Sequence, residues 1–494
     1  MKEKNRFSNL LEYLMDTCDI KNLTLAKDLQ YDVSYISKWV SGRMLPSSKN
    51  EKAVLQGISH CIVSKGSDEG RLKLQADYQT TSYDDLELAV FYNLMAEYNY
   101  VREAERNTGN SVAPKTVFYP KLDMQQYIDK MHHPVLHRVN SLEIVAAMDI
   151  LSMEQEYRLQ LLNINVPINT PGLPGGWHYP DVHFSLIINL KHLNWNYLHD
   201  IVFLINMMVD MSHVDFHLYG SDQAHGRAMF AVKEDFAISG MLIDRNQCLS
   251  VTVSEDPDNC EMLHRYLQTL CSKDHLLIRR LTMSEMMYEI SYARSLLSPN
   301  QQLLIGHFTE HFLTEALFDE IIAAITEDQE LPIPVEKLRW YHNMQQQCLE
   351  KLPMKVVFYK AALSEFALTG QIDFFGRTVT LSPKQRLVFI NHIRDLIMQN
   401  SNITPKLIYG RLISNFHYSH KFAVFVSDAL TCLRLENQEC IHLINHSDLK
   451  DAFQQFYTQV WNTESSNMIS NHADIINYFD HIVQQIQIIE NLDN

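Results

Sequence analysis

Between Leu25 and Ser48 the chain reads LAKDLQYDVSYISKWVSGRMLPSS, and the residue types and spacing there suit one piece of chemistry, the reading of a nucleic-acid groove. Val33, Ser34, Ser37 and Lys38 share the outer side of a helical repeat. Small or cationic side chains at a helix N-terminus are what a DNA major groove admits. The residues that must position them lie between and before them. Ile36 and Trp39, three apart, face inward. Asp32 stands where an N-cap is wanted, its carboxylate able to accept from free amides of the next turn. A shorter helix precedes, with Leu25, Ala26 and Leu29 on its apolar side and Lys27 and Asp28 outside. Gly42 ends the second helix, and Pro46 prevents its return.

The run resembles the Cro/repressor-type (XRE) helix-turn-helix, in the pattern Leu25-Ala26, Asp32, Ile36-Ser37-x-Trp39, Gly42 and Pro46-Ser47. It departs from that family at Gln30, where a turn glycine is usual, so Gln30 is expected to take a positive φ or the turn to be reshaped. The resemblance spans residues 6–63, about an eighth of the chain. It implies double-stranded DNA as partner, with Ser34, Ser37 and Lys38 at base edges and Val33 against a thymine methyl. Thr24 or Arg43 would grip phosphate, and Tyr35 belongs to the same contact set. Two such heads on half-sites one helical turn apart would require a homodimer. The stripe Leu86 to Val101, which suits ordinary core first and a dimer seam second, and the C-terminal helix Ile475 to Ile489 are the candidate seams.

Charge is divided along the chain. The whole carries a formal −17, yet Lys and Arg outnumber Asp and Glu within residues 1–75. An acidic body behind a basic head repels DNA everywhere except at the reading surface, which favours an oriented contact. The 494 residues are too many for one core and suggest about three domains. Eight cysteines, at 18, 61, 248, 260, 271, 348, 432 and 440, form no C-x-x-C pair and have no His partners at zinc spacing. They suit reduced, mostly buried thiols in a cytoplasmic protein. The opening MKEKNRFSN is not followed by a signal-peptide apolar core, and no run reaches the length of a membrane span.

Taken in order, we expect a helix-turn-helix domain over 1–75, closed by the polar, twice Gly-broken KGSDEGRLK. A helical connector over 76–172 follows, with a long helix from Tyr83 to Arg106 and a further helical region from Ser141 to Leu162. NTPGLPGGW, residues 169–177, reads as a loop. The remainder carries an internal similarity at an offset near 190 residues: FAVKEDFAISGMLIDRNQCLSVTV from Phe230 and FAVFVSDALTCLRLENQECIHLI from Phe422. Leu218-Tyr219-Gly220 and Ile408-Tyr409-Gly410 precede them at nearly the same offset. The fold class is thus multidomain: an all-α head, a helical connector and an α/β body of two similar modules, 173–330 and 331–494.

No catalytic or metal-binding constellation is legible. His199 and the His132-His133 pair lack a second ligand cluster, and no G-x-S-x-G elbow, P-loop or G-x-G-x-x-G occurs. Met207, Met208 and Met211 suit core packing or the wall of an apolar pocket. We therefore expect no cofactor and no enzyme, but a DNA-binding regulator whose body senses a small-molecule or peptide effector and dimerises. The alternatives are a signalling-peptide receptor built on helical repeats and an enzyme carrying a DNA-targeting head. Runs such as VHFSLIINL and CLSVTV look like strands and speak against the helical array.

Overall fold

The computed structural model describes residues 5–78, 82–108, 116–132, 141–162, 181–191, 196–211, 214–328, 333–410, 422–436, 440–463 and 467–493. The chain forms two compact units, Met1–Asn189 with His213–Ser272, and Leu190–Ser212 with Lys273–Asn494. It is a mixed α/β, multidomain protein. The loop expected at 169–177 and His133 lie outside the described residues.

The first unit begins with six helices: α1 (Arg6–Thr17), α2 (Asn22–Leu29), α3 (Val33–Val40), α4 (Glu51–Lys65), α5 (Asp68–Asp77) and α6 (Tyr83–Thr108). One core joins them, from Phe7, Leu11 and Leu14 of α1 through Ile36 and Trp39 of α3 to Leu86, Val90, Leu94 and Val101 of α6. This corrects two expectations. The stripe on α6 is interior surface of the head, so it is not available as a dimer seam. The Lys65–Lys73 stretch is not a domain boundary either. Its glycines serve close packing: a Cβ on Gly70 would lie 2.3 Å from the Thr17 carbonyl oxygen and 2.7 Å from Cys18 Cα. Ser67 N–H donates to Cys18 O at 3.0 Å, tying the turn to the end of α1.

The same unit contains a seven-stranded sheet. Its elements are β1 (Thr116–Asp123), α7 (Met124–His132), β2 (Ser141–Met148), α8 (Gln155–Leu162), β3 (Asp181–Ile188), β4 (Asp215–Gly220), β5 (Arg227–Val232), β6 (Phe236–Ile243), β7 (Gln247–Ser254) and, after the last strand, α10 (Pro257–Gln268). The order is β1-β7-β6-β5-β2-β3-β4, with β2, β3 and β4 parallel and every other pair antiparallel. The sheet therefore begins inside 76–172, and Ser141–Met148, expected as helix, is a strand paired on both sides. SLEIVAAM is a short apolar run that periodicity cannot assign, and pairing with β3 and β5 decides it. Between β3 and β4 runs α9 (Tyr197–Asp210), which belongs to the second unit, where Leu198 N–H donates to Gln459 Oε1 at 3.0 Å.

The second unit holds an eight-stranded sheet and a two-stranded one. Its elements are β8 (Ile278–Thr282), α11 (Met283–Met286), α12 (Ile290–Leu296), β9 (Gln301–Ile305), α13 (Glu315–Asp328), α14 (Val335–Lys351), β10 (Met354–Tyr359) and α15 (Lys360–Thr369). After the pair β11 (Gln371–Phe374) and β12 (Arg377–Thr380) come α16 (Pro383–Gln399), β13 (Ile403–Ile408), β14 (Phe422–Val426), β15 (Thr431–Leu435), β16 (Cys440–Ile444), α17 (Ser447–Asn462), β17 (Met468–Ile469) and α18 (His472–Asp493). The order is β17-β13-β10-β9-β14-β15-β16-β8. A border at 330/331 would cut β8 and β9 from their own sheet. On α18, Ile475, Phe479, Ile482 and Ile486 are buried in this unit's core, so the second candidate seam is also interior.

Strand order and sense coincide over seven strands. Parallel β9, β10 and β13 run as β2, β3 and β4 do, and β14, β15, β16 and β8 continue as β5, β6, β7 and β1. Phe230 lies in β5 and Phe422 in β14, and Tyr219 is the last residue but one of β4, whereas Tyr409 follows β13. Among the described residues the second sheet has one strand more, β17. All eight cysteines are free thiols, six of them buried. Among the described residues no helix is long and apolar enough to cross a membrane.

Candidate nucleic-acid interface

Two short helices, α2 and α3, are joined by Gln30, Tyr31 and Asp32. Gln30 caps α2 in the left-handed region, φ 57° and ψ 37°, as its place in the turn predicts, and Tyr31 N–H donates to Ala26 O at 3.0 Å. Asp32 is extended and its carboxylate accepts from Ser34 N–H at 2.8 Å, the expected N-cap. Hydrogen bonds from Ser34, with Lys38 adding attraction, hold that carboxyl below its ordinary range. The start of α3 therefore carries a fixed anion, with Ser34 N–H bonded to the Asp32 carboxylate and Tyr35 N–H to Asp32 O at 2.9 Å.

The sides of α3 differ sharply. Ile36 and Trp39 are 0% and 1% exposed, whereas Val33 and Tyr35 are 38% and 43% exposed. Ser34, Ser37 and Lys38 are also exposed. Trp39, Tyr31 and Tyr35 form a chain of rings, with centroids 5.2 Å apart for Tyr31–Trp39 and 6.1 Å for Tyr31–Tyr35. Lys38 Nζ lies 5.5 Å from the Tyr35 ring centre, so the outer face carries a cation over an aromatic plane. Arg43 is exposed just beyond the helix, and Thr24 is half-buried in the first turn of α2. The structure thus brings Val33, Ser34, Tyr35, Ser37 and Lys38 to the outside of one helix. Thr24 is less accessible than the others.

What holds this face comes partly from residues that sequence reasoning placed elsewhere. Gly42 has φ 71° and donates its N–H to Trp39 O at 3.1 Å, while Asn5 Nδ2 donates to Gly42 O at 3.4 Å. Lys65 on α4 pairs with Asp28 on α2. Tyr98, far along α6 and buried, donates its hydroxyl to Pro46 O at 3.0 Å and so fixes the segment leaving α3. The i, i+4 apolar stripe of α6 was the available signal, but nothing in its spacing named its partner.

Two other polar constellations stand in the sheets. At the end of β2, buried Asp149 accepts from Gly226 N–H and Ser152 Oγ, each at 2.8 Å, and His225 Nδ1 lies 3.1 Å away. This ties β2 to the turn before β5. In the second unit Arg434 Nη1 donates to both Glu310 oxygens at 2.9 Å, Arg434 Nη2 lies 3.0 Å from Asp373, and Gln345 Nε2 donates to Glu310 at 3.3 Å. The adjoining cavity, lined by Tyr292, His311, Cys432 and Arg434, has about 20 Å³, room for one water and not for a metabolite. Burial lowers the His307 and His311 imidazoles to about 4 and about 3, so both are neutral at pH 7. Among the described residues no three His, Cys, Asp or Glu side chains are arranged to hold a metal ion. Compared with known proteins, the chain matches no family model and no curated sequence.

Proposed function

We propose that the chain is a sequence-specific DNA-binding regulator that reads double-stranded DNA with α3 of an XRE-type helix-turn-helix head. The observation that supports this most is the division of α3: Ile36 and Trp39 fully buried, and Val33, Ser34, Tyr35, Ser37 and Lys38 outside on a capped helix start. In this reading Ser34, Ser37 and Lys38 meet base edges, Val33 a thymine methyl, and Arg43, with Thr24 behind it, a phosphate. We read the matching strand orders as two copies of one α/β module, forming the body. An effector there, a small molecule or peptide, changes operator affinity only through unequal affinity for two body arrangements, and operator must affect effector binding in return.

The test is binding of duplex DNA by the parent chain and by a Ser34→Ala, Lys38→Ala double variant, with folding checked by melting. Each lost base contact is expected to cost about 1–3 kcal/mol and to relax sequence preference. A folded double variant that binds with the parent's affinity and preference refutes the assignment.

A further inference from the structure

On one face of the first sheet α10 lies against β2, β5 and β6. It crosses at a slant. Its first turn reaches Thr116 of β1, where Asn259 Nδ2 donates to Oγ1 at 3.4 Å, and its last turn reaches β5, where Arg227 Nη1 donates to the Tyr266 hydroxyl at 2.7 Å. A helix about 10 Å wide covers about two strands at their spacing of about 4.8 Å, so a wedge of β1, β7 and β6 stays bare beside it. The register puts Lys121, Leu249, Met241 and Arg227 in one row across β1, β7, β6 and β5. That row is on the α10 face, because Ala237 and Ala231, in phase with Met241 and Arg227 along their strands, pack with Cys260 and Leu267 of α10.

The wedge is accessible. Met241 is 52% and Phe118 61% exposed, and Ile243 beside them and Met262 and Tyr266 on the α10 wall are exposed too. By contrast β15, which takes the place of β6 in the second sheet, is buried at all five positions. The row is apolar in its middle and cationic at its ends, which stand three strand spacings or about 14 Å apart, the width of one helix with its side chains. An apolar patch flanked by Lys121 and Arg227, with no carboxylate in the row, suits an occupant that is both apolar and acidic.

The end of α18 has that character. Its buried stripe stops at Ile486, and beyond it Ile488 and Leu492, four apart on one side of the helix, are 60% and 79% exposed. Residues 481–494 hold Glu490 and Asp493 and no Lys or Arg. A helix C-terminus also carries the negative end of the dipole, which cations stabilise. Wedge and helix end are both bare in one chain, so a single copy leaves both unsatisfied.

We propose that the last turns of α18 of a second copy dock in this wedge, with Ile488 and Leu492 against Leu249 and Met241 and with Lys121 and Arg227 on either side. Two copies exchange these ends about a two-fold axis, so the contact is made twice. One helix end in one wedge buries well under the roughly 1,000 Å² of a stable interface, and doubling it gives a dimer that forms reversibly. The contact involves no part of α3 and does not rest on the DNA reading.

The test uses the full-length chain without DNA, from micromolar concentration upward. Sedimentation should show a reversible dimer. Leu492→Asp and Lys121→Glu, both at exposed positions, should each raise its dissociation constant by about tenfold or more while leaving the melting of the monomer unchanged. A copy carrying Met241→Cys, mixed with a tagged copy carrying Ile488→Cys or Leu492→Cys, should give a mixed disulfide on mild oxidation that the parent's own thiols do not give. A monomeric mass throughout, absence of both mixed disulfides, or a Leu492→Asp variant that associates as the parent does would each overturn the proposal. Ser34→Ala with Lys38→Ala should dimerise as the parent does, so failure of the DNA reading leaves this interface standing.

Discussion

Gln30 holds a left-handed backbone that glycine adopts without Cβ strain, and it does so in the turn that sets α3 against α2. Gln30→Gly is therefore expected to stabilise the head, by up to about 1 kcal/mol after the extra chain entropy of glycine is subtracted. Melting of the head would show it, and destabilisation would mean that the Gln30 side chain contributes more than its backbone costs. Trp39 is the opposite case. Its ring fills the centre of the head, and Trp39→Ala should cost about 3–5 kcal/mol and unfold the head before the sheets melt. Loss of all structure in one transition would contradict that independence. At this scale the sequence was informative, because caps, left-handed turn positions and an i, i+3 buried pair are local. Asp32, Ile36 and Trp39 stand as spacing places them, and Gln30 takes the positive φ that the family resemblance implied as one of two outcomes.

At the scale of elements legibility fell with contact distance. The 22 residues Ser141–Leu162 read as one helix, but their first eight are a strand whose identity depends on β3 and β5, each contributed by distant sequence. The Gly-broken Lys65–Lys73 stretch reads as a linker, yet Gly66 and Gly70 let α5 close against the end of α1. Conversely, the Phe-Ala-Val runs at Phe230 and Phe422, alike in sequence, lie in β5 and β14, which hold corresponding places in the two strand orders. Two outcomes follow for the head. A fragment ending at residue 78 lacks α6 and leaves the faces that meet Leu86, Val90 and Tyr98 in water, so it should be unfolded or molten, whereas one ending at 108 should melt cooperatively. Gly70→Ala forces a methyl onto backbone atoms of Thr17 and Cys18 and should cost about 1–3 kcal/mol. Equal melting of the two fragments would place the head's boundary before α6, and a neutral Gly70→Ala would show that α5 does not close against α1.

At the scale of the molecule, the buried histidines of the second unit give its stability a direction with pH. Burial lowers His307 and His342 to about 4 and His311 and His442 to about 3. Arg434 opposes the charging of His307 and His311, Arg280 that of His442, and Arg339 that of His342, while Asp373 favours charge on His307, and Glu310 and Asp319 on His342. The unfolded chain protonates these rings near 6.5, so between that value and about 4 it binds more protons than the folded unit. Stability is complete above pH 6.5 and falls as pH drops, by about 1 kcal/mol per unit for each ring. Denaturant midpoints at pH 7.5, 6 and 5 should decline in that order, and a flat profile would show the rings accessible to protons in the folded state.

In the proposed reading the sheets act on DNA only through the head, so that reading depends on whether α3 recognises sequence. Selection of bound duplexes from a random pool by the full-length chain tests that most directly. We predict enrichment of one sequence with two inverted half-sites about one helical turn apart, and loss of that enrichment with Ser34→Ala and Lys38→Ala. A pool that stays random under the parent chain, or that converges equally under the double variant, would contradict it.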